Sequence, residues 1–272
     1  MMTSRARTAL FVPATRPERI PKALAAGADH VVVDLEDAVA ADAKDSARAA
    51  LADFLRANAE ARVLVRVNGA DTPQFAADIA LCAEHAGVVA VMLPKAESAA
   101  QIAAAAKPGK PVWPIIESAL GVANVTQIAR APGVAHIAFG TLDFGVDLDM
   151  DAASPGASVM LDHVRCQIAL ASRAAGIGAP IDGVFTAFDD ADGLRRYAQH
   201  ARGLGFGGML CIHPAQVKGV HDAYLPPEAD VAWARKIVAE AERTGLGAFQ
   251  VDGKMVDAPV IARARGILAR AG

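Results

Sequence analysis

Thiols are scarce in this chain. Cys82, Cys166 and Cys211 are its three cysteines, far apart and each in an apolar stretch. That pattern excludes a disulfide framework or a zinc knuckle and points to buried, reduced thiols in a reducing cytoplasm. Aromatic residues amount to 5%, and Ala, Val, Ile and Leu dominate instead, a palette for buried parallel strands under alanine-rich helices rather than for an all-β fold. An excess of one charge is missing too. The formal net charge is −3, with Lys and Arg dispersed along the chain, so no nucleic-acid partner is expected. Residues 1–7 are polar, the apolar run 9–12 ends at Pro13, and every longer hydrophobic stretch is interrupted by a charge, Gly or Pro. Neither a signal peptide nor a membrane span is read from that pattern. No His/Cys pair stands at zinc spacing, and no internal repeat or low-complexity tract occurs beyond the richness in alanine.

What is present is a chain 53% hydrophobic and, at 272 residues, long enough for one barrel of about 250 residues and a small tail. Short β-rich runs alternate with longer helix-like ones, the pattern of βα units around a parallel sheet. Eight runs read as strands: 8–14, 30–36, 62–68, 88–95, 112–117, 134–140, 180–185 and 208–213. Helices are predicted between them over stretches such as 17–26, 43–59, 74–85, 123–131, 158–175 and 191–204, several ending at a Gly that can take a left-handed cap. A helix at 214–224 comes next, then a long one ending at Gly245, then a tail over 247–272 with a polar cluster at 251–257 and a last helix from Pro259. The predicted class is α/β: a (β/α)8 TIM barrel over 1–225 and a C-terminal helical extension over 226–272 that caps the barrel or reaches a neighbouring subunit. The run Gly203-Leu204-Gly205-Phe206-Gly207-Gly208 is not a nucleotide loop. It lies after a helix and before a strand, the reverse of the order a dinucleotide fingerprint requires.

Barrel active sites are built at the C-terminal ends of the strands, and that is where this chain keeps its unusual polar residues. In Val31-Val32-Val33-Asp34-Leu35-Glu36, alternation puts Asp34 and Glu36 on the face of Val32; in Val63-Leu64-Val65-Arg66-Val67-Asn68 it puts Arg66 and Asn68 together. Strand four ends at Lys95, strand five at Glu117, and strand six runs into Gly140-Thr141-Leu142-Asp143. Asp34, Glu36, Asp37, Glu117 and Asp143 are thus expected to gather at one mouth against Arg16, Arg66 and Lys95. Carboxylates so close raise one another's pKa unless a cation neutralises them. Glu117 and Asp143, read as ending neighbouring strands, would meet at one hard divalent ion of the Mg²⁺ kind, completed by water and substrate oxygens. Lys44 and Lys95 are not expected to form a Schiff base, because a carboxylate-rich mouth keeps lysine protonated.

Several boxes together resemble the citrate lyase beta subunit-like family, whose members include malyl-CoA and citramalyl-CoA lyases. They are Phe11-Val12-Pro13-Ala14-Thr15-Arg16-Pro17-Glu18-Arg19, Val33-Asp34-Leu35-Glu36-Asp37-Ala38-Val39, Val65-Arg66-Val67-Asn68, Met92-Leu93-Pro94-Lys95-Ala96-Glu97-Ser98, Ile116-Glu117-Ser118-Ala119, Gly140-Thr141-Leu142-Asp143-Phe144 and Ile212-His213-Pro214-Ala215-Gln216. The resemblance covers essentially the whole chain in the right order. It implies a β/α barrel, Mg²⁺ and a thioester substrate, with Glu117 and Asp143 as metal ligands, Glu36 and Asp37 supporting them, and Arg66 in catalysis. The tail box Asp252-Gly253-Lys254-Met255-Val256-Asp257-Ala258-Pro259 resembles an extension in members that act on free coenzyme A esters. There the aspartate matching Asp257 is the acid/base and reaches an adjacent subunit, so a homo-oligomer, a trimer or hexamer, is implied. Two departures stand out: Ala14 where many members have Gly, and Met209 after Gly208 where Lys is common.

On this reading the chain is an oxo-acid-lyase that cleaves a short 3-hydroxyacyl-CoA, a small-molecule partner, into acetyl-CoA and a 2-oxo acid. The metal would act as Lewis acid and template. Arg66, with Glu117 on the substrate, would offset developing charge, and Asp257 would protonate the enolate carbon. Arg16 and Lys22, with Pro13 and Thr15 in the same segment, are assigned to the coenzyme. The bland readings stand beside these. Asp34 and Glu36 can brace loops, His213 reads as a packed residue before proline, and Asp257 before Ala258-Pro259 also reads as a helix N-cap. The alternatives are the beta subunit of a multi-subunit citrate lyase acting on a carrier-bound thioester, and a non-catalytic acyl-CoA-binding homologue.

Overall fold

The computed structural model describes residues 6–271; residues 1–5 of the polar N-terminal stretch lie outside the described ones. The strands β1 (Thr8–Pro13), β2 (His30–Asp34), β3 (Val63–Arg66), β4 (Val88–Leu93), β5 (Val112–Ile116), β6 (Ala138–Phe139), β7 (Ile181–Asp182) and β8 (Gly208–Cys211) lie side by side in sequence order. β8 returns to β1 through Thr8↔Met209, Ala9↔Leu210 and Leu10↔Cys211, closing an eight-stranded parallel barrel. Between the strands run α1 (Ile20–Leu24), α2 (Lys44–Ala57), α3 (Phe75–Glu84), α4 (Ala99–Ala105), α5 (Ala119–Ala123), α6 (Val125–Arg130), α7 (Thr141–Asp147), α8 (Pro155–Ala175) and α9 (Ala191–Gly203), and α10 (Pro214–Tyr224) comes after β8. The (β/α)8 class expected from alternation is the observed one. Alternation also fixes the interior: Ala9, Val32, Leu64, Met92, Trp113, Ile115 and Leu210 pack together, while the equally buried Val31, Val33, Val63 and Val65 take the other face of their strands.

The strands are shorter than their apolar runs. β6 and β7 have two residues each, and each strand gives way to loop or helix at the barrel mouth. The helix predicted over 123–131 is α6, and a short helix that the sequence reading did not include, α5, precedes it and meets it at Asn124. α4 starts with a capping box, in which the Ser98 hydroxyl accepts the Gln101 N–H at 3.3 Å and the Gln101 side chain accepts the Ser98 N–H at 3.0 Å. Cys82 and Cys211 are buried, and burial pushes both thiols up to about 12. Cys166 is exposed on α8, against expectation; its apolar sequence neighbours belong to the other side of an amphipathic helix. Among the described residues no helix is long and apolar enough to cross a membrane.

The chain divides into two compact units, one ending at His221 and one beginning at Asp222. The second holds α11 (Glu228–Thr244), β9 (Phe249–Val251), β10 (Lys254–Val256) and α12 (Ala258–Ala271). Its core is Ala234, Ile237, Val251, Val256, Ala264 and Ile267. The stretch read as a polar cluster is an antiparallel hairpin. Asp252 and Gly253 take φ of 50° and 73° at its turn, a local signal that an Asp-Gly pair carries.

Candidate active site

β2 and β3 are in register with Asp34 opposite Arg66, and both side chains turn inward above Val32 and Leu64. Arg66 grips Asp34 bidentately, Nε to Oδ1 at 2.7 Å and Nη2 to Oδ2 at 2.6 Å, the fork geometry that fits guanidinium to carboxylate. Asp34 also accepts the N–H groups of Glu36 (2.9 Å) and Ala38 (3.1 Å), so it shapes the loop that extends from its own strand. Arg66 Nη1 lies 3.0 Å from Glu36 Oε2 and 3.7 Å from Asp37 Oδ2, and its guanidinium carbon sits 4.8 Å from the Phe11 ring centroid. Burial works against the charge of Arg66, but hydrogen bonding to Asp34 and the fields of Asp34, Glu36 and Asp37 hold its pKa above the ordinary value.

Lys95 ties this group to Glu117. With φ of 49° just past β4, its backbone N–H donates to Glu117 Oε1 at 2.6 Å while its ammonium pairs with Glu36. Lys44 Nζ donates to the carbonyls of Leu35 (2.8 Å) and Glu36 (2.6 Å). Both lysines are thus tied by hydrogen bonds to the loop that follows β2. Glu117 lies just past β5 and is 5% exposed. Burial pushes its carboxyl up to about 8; the charges of Asp143 and Glu36 add to the rise, and the Lys95 N–H opposes it. Gly140 makes room for it, since a Cβ there would stand 2.3 Å from Glu117 Oε2.

Asp143 is not at a strand end. β6 stops at Phe139 and Asp143 lies in the first turn of α7, where the helix dipole favours a carboxylate. The sequence pattern carries β6 into Gly140, but the chain turns into a helix before the strand can reach the acid. Glu117 and Asp143 nevertheless line one cavity of about 410 Å³, together with Asp34, Asp37, Arg66 and Pro13. Among the described residues no three His, Cys, Asp or Glu side chains form a metal-holding group. A cation held here would therefore take two carboxylates and complete its shell with water or substrate oxygens, as Mg²⁺ does. The donors fit it: both are hard oxygens, and Glu117 resists ionisation without a positive partner.

Other expectations resolve differently. Asn68 does not join Arg66; its N–H and side-chain amide both donate to Asp78 Oδ2, at 2.8 and 2.6 Å, because β3 ends at Arg66 and the chain turns toward α3. Arg16 is largely exposed and 3.7 Å from Glu18, and Thr15 and Lys22 are exposed; none of the three lines the cavity. His213 is exposed rather than packed in, stacks on Phe188 at 5.0 Å, and accepts the Ala215 N–H at the start of α10. Asp257 belongs to the second unit, where its side chain accepts the Val260 N–H at 3.3 Å as the N-cap of α12. Met209 and Ala14 are buried.

Sequence reading missed the apolar wall, Phe11, Ile115, Phe139, Val184 and Leu210, because nothing marks an inward apolar residue as substrate-facing. It also missed a buried brace behind Thr141. Arg165 donates to both oxygens of Asp182 at 3.1 Å, to Asp162 at 2.9 Å and to the Tyr197 hydroxyl at 2.7 Å. Tyr197 in turn hydrogen-bonds Thr141, the first residue of α7.

A family model described as HpcH/HpaI aldolase/citrate lyase matches residues 7–214. A citrate lyase subunit beta-like protein of Deinococcus radiodurans is 39% identical over 96% of this chain and 96% of its own length. A (3S)-malyl-CoA thioesterase of Cereibacter sphaeroides is 37% identical over 97% of this chain and 94% of its own. The crystal structure of CitE from Mycobacterium tuberculosis in complex with magnesium, acetoacetate and coenzyme A superposes with a TM-score of 0.87 at 37% identity, over 100% of both chains.

Proposed function

The chain belongs to the HpcH/HpaI aldolase/citrate lyase family, and from that premise we propose that it is a magnesium-dependent carbon–carbon lyase. Its substrate is a short 3-hydroxyacyl-CoA of the citramalyl-, malyl- or citryl-CoA type, and its products are acetyl-CoA and a 2-oxo acid. The observation that carries this reading is the convergence of Glu117 and Asp143 on one cavity in front of a fixed guanidinium. Magnesium in a related complex that also holds coenzyme A supports it.

Cleavage breaks the bond between the hydroxyl-bearing carbon and the methylene beside the thioester. The hydroxyl loses its proton, the electron pair passes into a thioester enolate, and that carbon takes a proton to become the acetyl methyl group. Glu117 and Asp143 would hold Mg²⁺, which supplies Lewis acidity and a template for the oxygens of the 2-oxo-acid half. Arg66, held by Asp34, offsets negative charge on the oxygens of the reacting centre without reorganising, an effect worth about 3 kcal/mol for one well-placed donor. Glu36 and Asp37 hold Arg66 and Lys95 at their stations around the two ligands. Asp257 of an adjoining copy of the chain is assigned the proton for the enolate carbon, with its N-cap role fixing its backbone. Arg16 and Lys22 are assigned to the coenzyme's phosphates, with Pro13 and Thr15 beside them.

Incubating the protein with Mg²⁺ and the three esters, with chromatography of acyl-CoA and 2-oxo acid, tests the reading. Acetyl-CoA and a 2-oxo acid should appear in equal amounts, and Glu117→Ala or Asp143→Ala should abolish both while leaving the far-ultraviolet circular dichroism unchanged. Full Mg²⁺-dependent turnover in either variant would remove the metal assignment. The thioesterase relative favours a second reading on the same site, thioester hydrolysis, for which free coenzyme A and an intact hydroxy acid would be the products. A requirement for a carrier-bound thioester would instead mark a citrate lyase subunit.

A further inference from the structure

Glu117 and Asp143 face one cavity from separate segments, and their spacing is set by whatever joins those segments. Strand pairing joins them only as far as Gly140, whose N–H donates to the Ile116 carbonyl at 2.9 Å. Beyond it Asp143 rides on α7, seven residues long and too short to be stable by itself. Only Thr141 and Phe144 of that helix are buried, and Val146 is 81% exposed. α7 is fastened by side chains at each end. At its start Thr141 hydrogen-bonds Tyr197 and lies so close to Gly183 that a Cβ there would stand 2.5 Å from the Thr141 hydroxyl oxygen. At its other end Asp147 Oδ2 accepts the Ala119 N–H at 2.7 Å. Ala119 opens α5, just past Glu117, and the Ser118 hydroxyl already caps that helix by accepting the Gly121 N–H at 3.1 Å. Ala119 is exposed, so water would satisfy its N–H as well. What the Asp147 bond adds is a link from the segment of one acid to the helix of the other.

Resting on the reading of Glu117 and Asp143 as the magnesium ligands, we propose that Asp147 is a positioning residue, whose hydrogen bond to Ala119 fixes the Glu117 segment against α7 and sets the spacing of the two ligands before the ion binds. Asp147 is exposed and does not line the cavity, so it acts through its neighbours. Two carboxylates that face each other repel. Fastened at its start alone, α7 can yield to that repulsion by swinging outward about Thr141, and drawing it back would weaken binding. The bond to Ala119 removes that movement in advance. Losing it should lower Mg²⁺ affinity by about tenfold to a hundredfold, the usual consequence of removing a group that orients a metal ligand. Once the ion is bound the same geometry is restored, so kcat at saturating Mg²⁺ should stay within about threefold of wild type.

The test compares Asp147→Ala with Asp147→Asn, whose amide oxygen accepts the same N–H without the charge. In Mg²⁺ titration calorimetry Asp147→Ala should bind about tenfold or more weaker than wild type, and Asp147→Asn within about threefold of it. Metal-free melting temperatures of all three should agree within about 2 °C, because an exposed hydrogen bond contributes little to the fold. In turnover, Asp147→Ala should need more Mg²⁺ for half-maximal rate by the factor seen in calorimetry. Equal Mg²⁺ affinity in the wild type and Asp147→Ala overturns the proposal. So does an Asp147→Asn chain as weak as Asp147→Ala, because charge and not the hydrogen bond would then be acting. A loss of affinity accompanied by a metal-free melting temperature lower by about 5 °C or more overturns it too, since the bond would then serve the fold. If no ester is cleaved the lyase reading fails alone, because calorimetry needs no turnover. If the wild-type chain binds no Mg²⁺ the metal assignment fails, and hydrogen exchange of the metal-free chain still reads the inference. Residues 117–121 should then exchange faster in Asp147→Ala than in the wild type or Asp147→Asn, and equal exchange overturns it.

Discussion

Gly140→Ala is a one-methyl test of the ligand geometry. Gly140 sits at φ −88° and ψ 77°, which an alanine adopts without backbone strain, so the perturbation is steric. The new carbon would lie 2.3 Å from Glu117 Oε2, 2.6 Å from Glu117 Cβ and 3.1 Å from Ile115 Cγ2. Carbon contacts settle at about 3.5–4.0 Å, so Glu117 has to retreat by about 1 Å. Rotating its carboxylate does not suffice, because the Cβ is itself too close; the end of β5 or the start of α7 has to shift. Overpacking of this kind costs about 1–3 kcal/mol, or a few degrees of melting temperature for a domain of this size at about 2–4 °C per kcal/mol. Displacing a catalytic group by about 1 Å costs about a hundredfold in rate. The assay pairs thermal melts with Mg²⁺ titration calorimetry and kcat/KM. Gly145→Ala serves as control, since its Cβ would meet nothing within 4 Å in the same helix. Gly140→Ala should lose Mg²⁺ affinity and turnover far beyond its loss of stability, and Gly145→Ala neither. A Gly140→Ala protein that melts lower but keeps wild-type Mg²⁺ affinity and kcat/KM refutes the argument that Glu117 holds the ion from this position.

Other perturbations separate the remaining assignments. Mixing inactive Asp257→Ala and Glu117→Ala chains under conditions that allow subunit exchange should restore part of the activity if Asp257 acts across copies; no recovery in demonstrably mixed oligomers removes that role. Arg165→Met leaves Asp182, fully buried, without its partner, and should cost about 3–5 kcal/mol in urea unfolding. Adding Asp182→Asn should return much of it, and a loss under about 1 kcal/mol would show the brace to be slack. Burial holds His30 and His136 below the ordinary histidine value, and both pack against Trp113 at 5.1 and 4.5 Å. The unfolded chain binds those protons near pH 6.5 and the folded chain resists them until lower pH. Their contribution is therefore whole above about pH 6.5 and is lost as the pH falls through the folded values. Between pH 7.5 and pH 5 the urea midpoint of the wild-type chain should fall relative to that of His136→Asn; parallel profiles would contradict this.

The barrel was readable because its strands are apolar runs of β-branched residues, and because two-residue alternation fixes which side chains turn inward. Asp34, Arg66 and Glu117 were found by that periodicity together with their place at strand ends. The same rule misplaced Asn68 and Asp143. Periodicity does not say where a strand stops, and β3 and β6 stop short, handing Asn68 to Asp78 and Asp143 to the first turn of α7. The Asp252-Gly253 hairpin was missed although its signal is local, because the polar residues around it read as a cluster. Arg165, buried deep on α8, had no sequence signal at all, since a lone arginine in an amphipathic helix reads as surface.

What alternation cannot reveal is pairing, and pairing decides the chemistry here. An inward aspartate and an inward arginine on adjacent strands become a bidentate pair only if barrel closure puts Asp34 opposite Arg66, as the β2–β3 register does. Read as separate residues, they are one more acid and one free cation for the substrate. Read as a pair, they are a rigid unit in which Asp34 fixes the position of the guanidinium at the cavity wall. Replacing Arg66 by Lys would test that step, since an ammonium cannot hold both Asp34 oxygens in the fork geometry. The variant should lose turnover by about a hundredfold.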